Sequence, residues 1–118
     1  MFKFKNNTFH VTRGDTGTIH FSYKDGSVLP ESDLIFKIYE KDALDSNPLL
    51  EKKVAINANE TSVDLTLYSE ETMIGDIENE RVEYWYEIKL GPDNTILGYD
   101  ENKAKIFYLY PSGLETKQ

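Results

Sequence analysis

The stretch TSVDLTL, residues 61–67, alternates strictly between polar and apolar side chains. In an extended chain this pattern places Val63, Leu65 and Leu67 on one face and the polar residues on the other, because successive strand side chains point to opposite sides. A period of two predicts a β-strand with one face in a core and one face in water. That arrangement is typical of antiparallel sheets.

Similar alternation recurs along most of the chain, at residues 9–12, 17–23, 34–40, 49–56, 82–90, 95–99 and 103–110. Turn-forming residues separate these segments at intervals of roughly ten residues. We therefore expect an all-β fold, with seven or eight short strands in the two antiparallel sheets of a β-sandwich. A small β-barrel is the alternative, because alternation is the same in both architectures.

One segment, SEETMIG at residues 69–75, favours a short helix between two strands. Ser69 is a suitable N-cap, Glu70 and Glu71 lie in the first turn, and Gly75 can end the helix. We expect at most about two turns, because no longer helical period is present.

The length and composition of the chain predict one domain at residues 1–111, followed by a polar tail at residues 112–118. The net charge of −8 predicts repulsion from a phosphate backbone, so we expect no nucleic acid partner. No apolar run is long enough to span a membrane, and the first ten residues lack the apolar region of a signal peptide. The absence of cysteine excludes disulfides and thiolate chemistry.

Candidate catalytic and metal-binding residues are few. If residues 13–15 were a hairpin corner, His10 and His20 would be diagonal neighbours, but two ligands do not make a zinc site. The acidic run at residues 70–80 lacks the spacing of a calcium loop, and no G-x-S-x-G motif is present. We expect no cofactor, no metal and no enzymatic activity.

Trp85 stands out in VEYWYEIKL, residues 82–90. Tyr84 and Tyr86 share the apolar face of that predicted strand, whereas Trp85 falls on the opposite face between Glu83 and Glu87. Three interpretations stay open: Trp85 lies under a loop, anchors a protein interface, or stacks on a sugar ring.

The last predicted strand is apolar on both faces. Phe107 and Leu109 alternate with Ile106, Tyr108 and Tyr110. Such a strand is either central in its sheet or covered by a partner. Trp85, Phe107 and Leu109 are therefore the candidate interface residues.

Arg13, Gly14 and Asp15 form a tripeptide that many extracellular proteins use to bind integrins. We interpret it as a structural corner, with adhesion as an alternative. Gly14 permits a positive φ, and Asp15 can accept hydrogen bonds from the backbone N–H groups that follow it in an Asx-type turn. We expect Arg13 to form an ion pair with an acidic residue on the surface.

The order of these motifs resembles a known family. The motifs are TRGDT at residues 12–16, DLIFKI at 33–38, VDLTL at 63–67, ETMIG at 71–75 and YWYEIKL at 84–90. Together they are similar to the small immunoglobulin-like β-sandwich proteins of phages and prophages of Gram-positive bacteria, related to the N-terminal domain of baseplate upper proteins. Residues 76–81 depart from the pattern, because that family turns more directly there.

The resemblance implies a non-enzymatic tail or baseplate component that binds copies of itself or neighbouring tail proteins. Such a protein is made in the host bacterial cytoplasm and then joins the virion tail, without a signal peptide. A homo-oligomer is one form this implies. The alternative is a carbohydrate-binding module for host-surface glycans, in which Tyr39 or Tyr99 would lie beside Trp85.

Overall fold

The alternating segments form the strands of an all-β domain, as predicted. The computed structural model describes residues 1–112, so the predicted tail lies, beyond Ser112, outside the described residues. The described chain contains one short 3₁₀ helix, Ser69–Thr72, and nine strands: β1 (Phe2–Lys5), β2 (Thr8–Thr12), β3 (Gly17–Ser22), β4 (Ser32–Glu40), β5 (Leu50–Ile56), β6 (Ser62–Leu67), β7 (Val82–Leu90), β8 (Thr95–Leu97) and β9 (Ile106–Tyr110).

The strands form two sheets of unequal size. The larger has seven strands in the order β1-β2-β9-β7-β4-β5, with β8 also paired to β7, and it curls into a half-barrel. The smaller consists of β3 and β6 alone. The order β9-β7-β4-β5 opposite β3-β6 is that of an immunoglobulin-like sandwich.

Strand β1 was not predicted from the sequence. Asn6 and Asn7 have φ values of 52° and 61°, which is the left-handed pair that a two-residue hairpin turn requires. The turn pairs β1 with β2, from Phe2 opposite Val11 to Lys5 opposite Thr8.

The predicted pairing was wrong at one place, because β2 runs parallel to β9. Phe9 lies opposite Phe107 in this pair, so residues from the two ends of the domain meet. After β2 the chain crosses to the other sheet, which prevents β2 and β3 from forming a hairpin. The other pairs are antiparallel.

The core lies between the two sheets. Val63, Leu65 and Leu67 point into it, as their alternation predicts. Tyr84 and Tyr86 are also buried there. The hydroxyl of Tyr86 donates a hydrogen bond of 2.7 Å to the carbonyl of Asn7, which satisfies its polar group, and burial raises its pKa.

The short helix is shorter than predicted and begins differently. It ends at Thr72, and Tyr68 is its N-cap in place of Ser69. Glu71 reaches back so that its Oε1 accepts from the Tyr68 amide at 2.9 Å and from Lys52 Nζ at 2.5 Å. Burial alone would raise the pKa of Glu71, but these two donors lower it, so the carboxylate is held in its charged form.

The corner at residues 13–15 joins strands of different sheets. Gly14 has a φ of 87°, so the predicted positive φ is confirmed. Arg13 is only 5% exposed, and its Nη2 donates to the carbonyl of Asp76 at 2.7 Å. The expected surface position of Arg13 was therefore wrong, because its side chain is buried and its guanidinium contacts the backbone of Asp76. The carboxylate of Asp15 contacts the amino group of Met1 in place of the expected Asx-type turn.

Candidate functional site

The outer face of the large sheet carries a group of partly exposed aromatic rings, which we call the aromatic band: Tyr99, Trp85, Tyr108, His10 and Tyr110. On β7, Trp85 lies opposite Ile106 of β9, and Glu83 lies opposite Tyr108. On β2, His10 lies opposite Tyr108. The band therefore crosses the sheet from the loop after β8 to β2.

The rings of the band contact one another in two groups, Trp85 with Tyr99 and His10 with Tyr108 and Tyr110. The ring centroids of Trp85 and Tyr99 are 5.8 Å apart. Those of His10 and Tyr108 are 5.6 Å apart, and His10 and Tyr110 are separated by 5.8 Å. These spacings are typical of aromatic pairs, which hold the rings in fixed positions.

Arg81 supplies a cation at one end of the band. Its guanidinium carbon lies 4.0 Å from the centroid of the Tyr108 ring, which is a cation–π arrangement. Its Nη1 donates to the Tyr110 hydroxyl at 3.4 Å, and that hydroxyl also lies 2.7 Å from His10 Nδ1. The hydrogen bond from Arg81 to Tyr110 raises the pKa of the guanidinium, which stays charged.

Trp85 is half-buried in this face, with Nε1 donating to Glu83 Oε2 at 3.1 Å. Of its two expected companions, Tyr99 is 50% exposed and Tyr39 is buried. The Tyr39 hydroxyl donates to Glu87 Oε1 at 2.9 Å. Burial, helped by Glu87, raises the pKa of Tyr39 to about 12. Tyr99 is therefore the ring that can share a ligand with Trp85.

A shallow cleft lies beside these two rings. Asp42, Leu44 and Asp45, from the connection between β4 and β5, line it together with Trp85 and Tyr99. The cleft combines aromatic faces with carboxylates, which are acceptors for hydroxyl groups.

Two of the candidate interface residues lie elsewhere. Phe107 is fully buried and Leu109 is 2% exposed, because both face the core between the sheets. Their assignment to an interface is thus corrected: β9 is central, between β2 and β7, which explains its two apolar faces. Its other face carries Tyr108 and Tyr110, which belong to the band.

The two histidines are not neighbours. His10 is on β2 of the large sheet, whereas His20 is on β3 of the small sheet, where its Nδ1 lies 2.5 Å from Asp64 Oδ1. Within residues 1–112, no three His, Asp or Glu side chains form a group that could hold a metal ion.

The sequence interpretation missed His10, Tyr108, Tyr110 and Arg81 as one group. The apolar residues on both faces of β9 could have indicated that Tyr108 and Tyr110 belong to such a group. Nothing in the local pattern could place His10 beside them, because that contact depends on the parallel pairing of β2 with β9.

Among the described residues, no helix has the length and apolar character needed to cross a membrane. No protein-family model matches this chain, and no curated protein matches it.

Proposed function

We propose that this chain is a non-enzymatic assembly module, a tail or baseplate component of a phage or prophage, and that it binds proteins through the aromatic band. The observation that carries the proposal is that two groups of contacting side chains, rich in Trp, Tyr, His and Arg, share one sheet face. Trp, Tyr and Arg are the residues that contribute most to protein interfaces. The order of the sequence motifs supports the phage assignment.

The rings of the band are already held by contacts with each other and with Arg81. These side chains would therefore lose little conformational entropy when a partner binds. The partner is another copy of the chain or a neighbouring tail protein, and the chain is made in the host bacterial cytoplasm before it joins the tail.

The test combines oligomeric state with genetic context. Sedimentation velocity of the full chain, alone and co-expressed with the products of adjacent genes, should show a complex. The double variant Arg81→Glu with Tyr108→Ala should weaken that complex by at least about a hundred-fold, as expected when interface anchors are lost. Tyr68→Ala is the matched control, because Tyr68 is 53% exposed and lies outside the band.

A monomer at every concentration, encoded far from tail genes, would exclude the proposal. An intact complex in the double variant would show that another surface is used.

A second candidate function is binding of host-surface glycans at Trp85 and Tyr99. It is favoured by the cleft in which these rings lie beside Asp42 and Asp45. The planes of the two rings are inclined by 35°, so they would contact adjacent faces of a bent saccharide and not a flat one. A glycan array should then show ligands that are lost in Tyr99→Ala, and an array without any ligand would eliminate this function.

A further inference from the structure

Three neighbouring strands of the large sheet, β1, β2 and β9, carry no acidic side chain. Their sequences are FKFK, TFHVT and IFYLY, so all 21 Asp and Glu residues of the chain lie elsewhere. The register places Lys3 beside His10 and Lys5 beside Thr8, and residues paired in this way share a face of the sheet. The two lysines therefore extend the face of the aromatic band on its β1 side.

Arg81 adds a third cation on the other side of the rings. Its guanidinium lies against the Tyr108 ring and donates to the Tyr110 hydroxyl. From β1 to β7 the face therefore has cations along both margins and aromatic rings between them. We call this surface the basic strip: Lys3, Lys5, His10, Tyr108, Tyr110 and Arg81.

The carboxylate that lies closest to the strip in register already has partners. Glu83 is opposite Tyr108, but its Oε2 accepts from Trp85 Nε1 at 3.1 Å and lies 4.0 Å from Lys41 Nζ. Within residues 1–112, the two lysines of β1 form no ion pair. In a chain with a net charge of −8, the basic strip is thus a local excess of positive charge.

The opposite charge is concentrated in one exposed segment, which we call the acidic run. It is DIENE, residues 76–80, with three carboxylates in five exposed residues. Ile77 is 63% exposed, more than any other large hydrophobic side chain of the described residues. Glu78 and Glu80 form no ion pair in the part of the chain that the structure describes.

The strip and the run adjoin but do not pair within one copy. Arg81 follows the run directly and is held against β9, whereas the run borders a shallow groove with Glu40 and Lys41 on the β4 side. The lysines of β1 lie three strand spacings from β7, or about 14 Å across the sheet. The run therefore lies away from the lysines of its own copy.

We propose that the basic strip binds the acidic run of a second copy of this chain. The carboxylates of Glu78 and Glu80 pair with the cations of the strip, and Ile77 packs on its rings. Because strip and run adjoin at Arg81, a two-fold axis near Tyr110 brings each run onto the strip of the other copy and closes a symmetric dimer.

This inference rests on the proposed function, since the strip shares its face with the aromatic band, and it names the partner as the chain itself. Charge complementarity favours this partner, because the run supplies carboxylates on both sides of an apolar side chain. A nucleic acid strand would meet the acidic run beside the strip, which repels phosphates.

The dimer contains the contact between strip and run twice. Two contacts of about five residues each are at the low end of specific interfaces, so we expect a Kd of roughly 10–100 μM. Ion pairs between exposed groups are screened by salt, so association should weaken between about 0.05 and 0.5 M salt.

Sedimentation velocity of the full chain, from about 1 to 1,000 μM, measures the association. The strip variant, Lys3→Glu with Lys5→Glu, and the run variant, Glu78→Lys with Glu80→Lys, should each weaken the dimer at least about ten-fold, because like charges then face each other. The matched control, Lys24→Glu with Lys103→Glu, changes the net charge as the strip variant does, in exposed positions outside the strip. It should associate as the unchanged chain does.

An equimolar mixture of the strip variant and the run variant should regain the dimer, because the exchanged charges are again complementary. A single chain with all four substitutions should also regain it. That chain keeps the net charge of −8, so its recovery cannot come from a change in total charge. Recovery in the mixture shows in addition that both variants fold.

Three results would overturn the inference: the unchanged chain is a monomer at every concentration, the strip variant dimerises normally, or the mixture stays monomeric. A monomer whose strip binds a single-stranded oligonucleotide would overturn it as well. If the chain is a monomer but its complex with the product of an adjacent gene still requires Arg81 and Tyr108, this inference fails and the proposed function stands.

Discussion

Thr72 holds the corner at residues 13–15 against the short helix. It is completely buried, and its Oγ1 accepts a hydrogen bond from the Gly14 amide at 3.1 Å and donates one to the Asp15 carbonyl at 2.8 Å. Arg13 is buried and donates to the Asp76 carbonyl, so the tripeptide that resembles an integrin ligand is a packed element of the domain.

Replacement of Thr72 by Val should lower the free energy of unfolding by about 2 kcal/mol, because the Gly14 amide and the Asp15 carbonyl lose their hydroxyl partner. Urea denaturation measures the change. Thr66→Val is the control: its hydroxyl pairs with Thr18 at 3.0 Å on the exposed face, so its cost should stay below about 0.5 kcal/mol. Equal losses in the two variants would contradict the role of Thr72.

Tyr39 should make stability depend on pH in the alkaline range. Its pKa rises from 10.0 to about 12 on folding, so the folded chain favours the neutral phenol. The resulting stabilisation is complete below pH 10 and is lost as the pH rises through 12. Denaturant unfolding at a series of alkaline pH values should show a shallower decline for Tyr39→Phe than for the unchanged chain. Identical slopes would mean that Tyr39 does not contribute.

At the scale of elements, the hairpin of β1 and β2 makes a close contact with the small sheet at Gly17. The ring of Phe2 occupies the space where a side chain at residue 17 would begin. A glycine at the first position of β3 is therefore required by this packing, since its backbone is not in the left-handed region.

Gly17→Ala should cost about 1–3 kcal/mol, because the new methyl group overlaps the Phe2 ring. The same substitution in a Phe2→Ala background should cost at least about 1 kcal/mol less, which a double-mutant cycle of unfolding free energies measures. Additive losses would show that Gly17 is required for a reason other than this contact.

At the scale of the whole molecule, the domain is closed by contacts between distant parts of the chain. β2 pairs with β9, and β3 pairs with β6, so neither sheet can form from one local hairpin alone. The entropy of these loops must be lost before the strands gain their contacts.

Refolding should consequently take milliseconds to seconds, as for other β-sandwiches. Trp85, the single tryptophan, provides the fluorescence signal for a stopped-flow experiment. Complete refolding within a microsecond range would indicate that local contacts dominate, against the topology described above.

The sequence by itself determined strands β2 to β9 and their inward faces, but not β1. The alternation in β6 and β7 identified Val63, Leu65, Tyr84 and Tyr86 as core residues, because a period of two allows only one face to be buried. The presence of Gly14 likewise predicted the corner at residues 13–15, since only a few residue types adopt a positive φ without strain.

Only the tertiary structure decided which strands are neighbours. The parallel pair of β2 and β9 brings His10 to Tyr108 and Tyr110, and the packing of β1 near β3 leaves an apolar cavity between them. Side-chain alternation is the same whatever strand lies alongside, so it carries no information about partners or direction. The burial of Phe107 likewise follows from the central position of β9, and Arg13 is buried where its guanidinium contacts the distant backbone of Asp76.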